Sequence, residues 1–276
     1  MPELPEMQAL AERLDDALAG TVLDRVDALQ FSALKTVSPG PHELVGKALL
    51  SVGRRAKYLI FDLGDAKVVA HLSQSGRVDI EVPPKRTRAK IGVVRFVFGP
   101  SSILFKEFGH ERKAAWWVLA PDDLGPLEGL GPEPFSPEAE KLILEGEDRR
   151  RLHTMLRDQR TIAGIGRGFT DDILHAARLS PFDSLGSLGE SERTALLTSM
   201  RTVLEDATEK ERGRKGGLPT KLEGRFTIHR HHGLPCPRCG APLQHVSYES
   251  HEIVYCPQCQ TKGKVLADRR MSRLLK

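Results

Sequence analysis

Apolar positions along the chain change their period twice. Between residues 5 and 19, Met7, Leu10, Leu14 and Leu18 recur every three or four residues. That is the repeat of a helix burying one side, and Gly20 stands where a terminating glycine belongs. From about 21 to 119 the period shortens. YLIFDL (58–63), KVVAHLS (67–73), VVRFVF (93–98) and AWWVLA (115–120) are short apolar runs separated by Gly, Pro and Asp. Regular short strands of this kind predict an antiparallel sandwich or barrel. PDDLGPLEGLGPEPFSP (121–137), with five prolines and three glycines, reads as a linker. The helical period then returns over 138–145, 148–158, 170–178 and 189–210. Ser136-Pro137 supplies the first of these with an N-cap and a proline at the first helical position. Leu196, Leu197, Met200, Val203, Leu204 and Ala207 give the last an apolar side, and GRKGG (213–217) breaks it.

Composition narrows the class. With 276 residues, 39% of them hydrophobic, the chain can bury the core of one large domain or two ordinary ones. No run approaches the roughly 18 apolar residues of a membrane span. The acidic start MPELPEM is unlike a signal peptide, so a soluble cytoplasmic protein with no membrane partner is expected. The 41 Lys and Arg against 37 Asp and Glu suit a polyanion partner only where the charge clusters. It does so at Arg54-Arg55-Lys57, at 85–90 and at Arg149-Arg150-Arg151. A basic tail adds Lys262, Lys264, Arg269, Arg270, Arg273 and Lys276.

All four cysteines lie near the C-terminal end, which argues against a disulfide framework. Cys236-Pro-Arg-Cys239 and Cys256-Pro-Gln-Cys259 form two C-x2-C knuckles separated by sixteen residues. Two thiolates from each converge on one tetrahedral site, so one structural Zn2+ is expected. YESHEIVY (248–255) suits a strand of the hairpin carrying the second knuckle. A redox reading is disfavoured because no βαβ pattern surrounds the cysteines. His231, His232, His245 and His251 lie nearby, but four thiolates leave no need for them as ligands. A closed four-thiolate site organises the fold and does no chemistry.

Met1-Pro2-Glu3-Leu4-Pro5-Glu6 stands out at the other end. Read alone, it is either a lead-in to the first helix or a reactive group. Removal of Met1 would turn Pro2 into a secondary amine. An α-amine titrates near about 8, so a fair fraction is neutral at physiological pH. Such an amine can attack a sugar carbon and form a Schiff base, with Glu3 placed to move protons.

The two ends combine with the middle of the chain. PELPE, GRRAKYL (53–59), HLSQSG (71–76), LGPEP (130–134), LRDQRTIAGIG (156–166), GIGRGFTDDIL and the four-cysteine finger occur in that order. Together they resemble the formamidopyrimidine-DNA glycosylase/endonuclease VIII family over nearly the whole chain. The resemblance implies an α+β multidomain fold. Its parts are an N-terminal helix with an antiparallel β-sandwich (1–120), a linker (121–134) and a helix–two-turns–helix domain (135–224). A zinc ribbon (225–262) and a basic tail (263–276) follow. It also implies a monomeric base-excision repair enzyme acting on damaged double-stranded DNA, both glycosylase and AP lyase. Pro2 takes the place of the nucleophile, Glu3 that of the general acid/base, and Lys57 that of a catalytic lysine. Glu6 is similar to a further active-site glutamate. The target base must leave the stack, because the attacked carbon is hidden inside the duplex.

Several residues depart from the family pattern. Arg167 stands where an asparagine usually binds phosphate, and Asp172 where a glutamate is usual. His251 replaces the arginine at the finger tip, which makes a pH-dependent phosphate ligand. Gln74 occupies a methionine position that supports unstacked bases, and the loop 108–117 offers Arg112 without the expected phenylalanine. The segment 218–233 is short, which argues against 8-oxoguanine as the main substrate and toward an endonuclease VIII-like or specialised member. Three rivals follow: a lesion-recognising DNA-binding protein without catalysis, an AP lyase with little base excision, and a zinc-ribbon transcription factor.

Overall fold

A computed structural model describes residues 1–109, 111–222, 224–248 and 251–266. Arg269, Arg270, Arg273 and Lys276 of the basic tail lie outside the described residues. The chain divides into two compact units. One comprises Met1–Gly129 with Ala207–Leu222, the other Leu130–Asp206 with residues from 223 onward. Residues 207–222, which the sequence groups with the helical domain, fall in the same compact unit as the sandwich.

The first unit opens with α1 (Leu4–Leu18), in which Met7, Leu10, Leu14 and Leu18 are all buried, as the three-four repeat requires. Gly20 follows the helix with φ +83°, a left-handed conformation that glycine adopts without strain. Eight strands follow: β1 (Arg25–Ala28), β2 (Ser51–Arg55), β3 (Tyr58–Asp62), β4 (Lys67–His71), β5 (Gly76–Glu81), β6 (Gly92–Phe98), β7 (Ser101–Glu107) and β8 (Ala115–Leu119). They form two four-stranded antiparallel sheets, ordered β1-β6-β7-β5 and β2-β3-β4-β8. The inner faces meet through rings. Phe61 of β3 stacks on Phe96 of β6 at 5.9 Å, and Trp116 of β8 meets Phe96 edge-on at 5.6 Å. Truncating a buried residue of this core such as Leu10 to alanine costs about 2–5 kcal/mol.

β6 is buried on both faces, which explains an apolar run interrupted only by Arg95. Its one charge, Arg95, is buried with Glu81, whose carboxylate accepts from Arg95 Nε at 2.9 Å and from the Ser102 hydroxyl at 2.8 Å. The sequence signals β3, β4, β6 and β8. It misses β1, β2, β5 and β7, whose apolar content is diluted by Arg, Ser, Asp and Lys.

The second unit contains α2 (Pro137–Glu145), α3 (Leu152–Arg157), α4 (Arg167–Ala176) and the first part of α5 (Glu190–Arg212). Ser136 caps α2 by accepting from Ala139 N. α3 is shorter than the expected 148–158, because Asp148 turns the chain: its carboxylate accepts from Arg150 N at 2.8 Å. The hairpin β9 (Gln244–Ser247) and β10 (Glu252–Tyr255) pairs antiparallel, and α6 (Pro257–Gln260) carries the second knuckle. No helix among the described residues is long and apolar enough to cross a membrane.

Candidate functional site

At the N-terminus, Pro2, Glu3 and Glu6 are all buried. Glu3 is the N-cap of α1, and its backbone N–H donates to Glu6 Oε2 at 2.7 Å. Glu6 thus holds the first turn in place by a contact that the sequence does not announce. The segment 207–222 supplies further charge. Arg13 reaches from α1 to Glu211 O (2.8 Å) and Gly216 O (2.9 Å), and Arg212 pairs with Glu12 at 2.7 Å. Arg214 forks onto buried Glu211 at 2.9 and 3.0 Å, and its pKa is raised first by that contact and also by the charge of Glu6. Arg214 lies in GRKGG, which reads only as a helix breaker. No periodicity or spacing singles it out.

Lys57 sits in the turn between β2 and β3 and is buried. Its charge also acts on His71, on the neighbouring β4. Burial first, and Lys57 second, push that imidazole down to about 4. Gln74 is exposed in the turn joining β4 of one sheet to β5 of the other. That turn is tight: a Cβ on Gly76 would lie 2.0 Å from Leu72 O. Arg112 is exposed on the β7–β8 loop. Buried Glu107 fastens the loop by accepting from Lys113 N and Ala114 N at 2.8 and 3.0 Å.

In the second unit, α3 and α4 enclose the loop 158–166. Gln159 organises it, accepting from Gly164 N at 2.9 Å and donating to Ile165 O at 2.7 Å. The loop delivers Arg167 as the first residue of α4. Phe226 closes over the start of α4, where a Cβ on Gly168 would lie 2.0 Å from its ring. Asp172 is buried and accepts from the backbone N–H groups of Thr227, Ile228 and His229. Burial pushes its carboxyl up to about 6 against the opposing pull of those donors. Asp172 therefore anchors the segment 224–233 on α4.

The hairpin tip is organised by rings. His251 lies parallel between Tyr248 (4.7 Å, 8°) and His153 of α3 (6.3 Å, 5°). Arg151 donates to the Tyr248 hydroxyl at 2.9 Å. Behind the stack, Asp171 receives His229 Nδ1 at 2.6 Å and Val254 N at 3.2 Å. His153 Nε2 lies 3.3 Å from Asp171 as well, an ion-pair distance without hydrogen-bond alignment. Burial, followed by the charges of Arg167 and Arg157, lowers the His251 pKa to about 4, so its ring is neutral at pH 7. Arg157 Nε is buried with no hydrogen-bond partner among the described residues. Arg157, His153 and Asp171 were missed in the sequence, because a lone residue of each type carries no signal.

The run Arg149-Arg150-Arg151 is exposed, but two of its members have partners. Arg150 is held by Asp148 and Asp158, each at 2.6 Å, and Arg151 lies over the Phe182 ring at 4.4 Å.

Cys236, Cys239, Cys256 and Cys259 cluster with their sulfurs within 4.8 Å of one another. The Cys236–Cys259 and Cys239–Cys256 separations are 4.0 and 3.5 Å. A tetrahedral ion with Zn–S bonds of about 2.3 Å needs sulfurs about 3.8 Å apart, so the donor set fits Zn2+. The knuckle also docks. Arg238 donates to His175 O and Ala176 O, satisfying carbonyls at the end of α4.

Comparisons with known proteins agree with this geometry. The formamidopyrimidine-DNA glycosylase N-terminal domain model matches residues 1–110, and the formamidopyrimidine-DNA glycosylase H2TH domain model matches 130–216. The formamidopyrimidine-DNA glycosylase of Thermus thermophilus is 31% identical, over 95% of this chain and 100% of its own. An uncharacterized formamidopyrimidine-DNA glycosylase-like protein of Mycobacterium tuberculosis is 44% identical, over 53% of this chain and 94% of its own. Among solved structures, the Lactococcus lactis enzyme in complex with abasic-site DNA superposes with a TM-score of 0.82. It is 25% identical and covers 94% of this chain and 99% of its own. A mutant of the same enzyme with Fapy-dG DNA gives 0.84, at 25% identity, covering 94% of this chain and 100% of its own. The chain belongs to the formamidopyrimidine-DNA glycosylase family.

Proposed function

We propose that this protein is a bifunctional DNA glycosylase/AP lyase acting on damaged duplex DNA through Pro2. The observation that carries the reading is the first turn of α1, where Pro2 and Glu3 are buried side by side and Glu6 grips the Glu3 backbone at 2.7 Å. With Met1 cleaved, the Pro2 nitrogen lone pair attacks C1′ of the flipped nucleotide. The base departs with the electrons of the N-glycosidic bond and takes up a proton. The Pro2 nitrogen then gives up its proton and its lone pair expels O4′ from C1′; O4′ takes up a proton, and the opened sugar is left as an iminium on Pro2. Glu3 moves the protons at the sugar, and a buried cation at Lys57 stabilises negative charge there or binds a phosphate. Loss of a C2′ proton then expels the 3′ phosphate, and a second elimination expels the 5′ phosphate. Water releases the sugar remnant and restores the amine.

Arg167, Arg157 and His251 act as a phosphate grip, supported by their mutual electrostatic influence and by Arg157 Nε, which has no hydrogen-bond partner among the described residues. Gln74 and Arg112, exposed on two loops of the sandwich, support the bases left unstacked. The four cysteines hold one structural Zn2+, which keeps the ribbon folded and takes no part in the reaction. The segment 224–233 is bound along α4 by Phe226 and Asp172, which supports a lesion pocket formed without a long closing loop.

Strand cleavage tests this reading. Zinc-loaded protein lacking Met1 should cut a duplex at a single abasic site, leaving phosphate on both new ends. An uncut strand that the protein still binds would replace catalysis with lesion recognition alone.

A further inference from the structure

The second cluster of metal-ligating side chains among the described residues lies apart from the four cysteines. His232, His245 and Glu252 bring one ligand atom each to within 4.8 Å of the other two. His232 Nδ1 lies 3.5 Å from Glu252 Oε2, and the His232 and His245 rings are 4.2 Å apart, centre to centre. The three residues come from different places in the chain. His245 is on β9 opposite Val254, and Glu252 is on β10 opposite Ser247, so the two lie diagonally on one face of the hairpin. His232 comes from the turn before the first knuckle.

That turn is fixed from both sides. Asp172 holds Thr227, Ile228 and His229 by their N–H groups, and Gly233 N donates to Leu243 O at 2.8 Å. The neighbouring His231 is spent, its Nδ1 lying 3.0 Å from Thr227 O. His232 is half-exposed, and its imidazole faces the hairpin instead.

We propose that His232, His245 and Glu252 form a second, exchangeable metal site for a late first-row divalent cation, Zn2+ above all. Two imidazoles and one carboxylate are a donor set for Zn2+, Co2+, Ni2+ or Cu2+. They suit Mg2+ and Ca2+ poorly, because those ions prefer oxygen. Ligand atoms around tetrahedral zinc sit about 3.3 Å apart at bond lengths near 2.05 Å, so modest side-chain rotations close the site. Three protein ligands leave a position for water. The site opens to solvent through His232, so its ion exchanges more readily than one held by four thiolates. Occupancy ties the 227–233 turn to β10, the strand that begins one residue after His251. The inference is independent of the excision chemistry.

Metal stoichiometry and spectroscopy on the full chain test it. With Zn2+ in slight excess, the wild type should bind two equivalents per chain, and a mild chelator should remove the second first. His245→Ala and Glu252→Gln should each bind one. With Co2+, the first equivalent should show intense thiolate charge transfer, and the second should add only weak d–d bands that both variants lack. Should His245→Ala lose the thiolate-bound ion too, the exposed His232→Gln and Glu252→Gln decide. A wild type that stops at one equivalent, or a second equivalent unchanged in every variant, overturns the proposal.

Discussion

In the first unit the groups proposed to start the covalent step, Lys57 apart, are neighbours in sequence. Pro2, Glu3 and Glu6 share one turn of chain, and a single helix start sets their geometry. In the second unit they are far apart in sequence. His251 on the hairpin is held against His153 of α3, with Asp171 and Arg167 of α4 behind it. A covalent step needs a few atoms placed by rigid local structure, and a helix N-terminus provides that. A phosphate grip needs positive charge from several directions, and only tertiary packing provides that. The first arrangement can be lost by one substitution. The second should fail by degrees.

Short of removing the nucleophile itself, Glu3→Gln is the largest expected effect. Removing the proton-moving group should slow abasic-strand cleavage by about 10²–10⁴-fold while DNA affinity holds. Undiminished cleavage would move the acid/base role elsewhere in the turn. In the second unit, Gly168→Ala drives a Cβ into the Phe226 ring. It should cost about 1–3 kcal/mol, read as a lower thermal midpoint. Arg167→Ala should weaken duplex binding for all sequences alike and reduce the slope of log K against log salt by about 1.

The pH dependence of binding is subtler. His251 titrates near 4 in the free protein, and an adjacent phosphate raises that value. The complex therefore takes up a proton. Affinity should strengthen as pH falls from 8 through the raised value and level off below about 4. His251→Gln should flatten this part of the profile at constant ionic strength. Arg150→Ala should do least. Its guanidinium is held by Asp148 and Asp158, so the salt slope should not change.

The same contrast explains what was legible in the sequence. The helix of 4–18, the strands with dense apolar runs and the C-x2-C knuckles can be read because each signal lies within a few residues. The ordered motifs carry the family. β1, β2, β5 and β7 were hidden because Arg25, Asp27, Arg54, Arg77 and Lys106 dilute their apolar alternation. In the basic run 149–151, the run alone does not reveal that Asp148 and Asp158 pair with Arg150. His153, Asp171 and Arg157 acquire meaning only from partners distant along the chain, and Arg214 from Glu211 beside it and the charge of distant Glu6. His232 and His245 could be named from sequence, but their convergence with Glu252 depends on the hairpin register.

The central claim is that Pro2 forms the covalent bond to the sugar. Borohydride trapping on a duplex with one abasic site tests it most directly, once mass spectrometry confirms that Met1 is gone. The account predicts a trapped adduct on the N-terminal peptide of the wild type and none with Pro2→Gly. An adduct on a lysine such as Lys57, or one that survives Pro2→Gly unchanged, would contradict it.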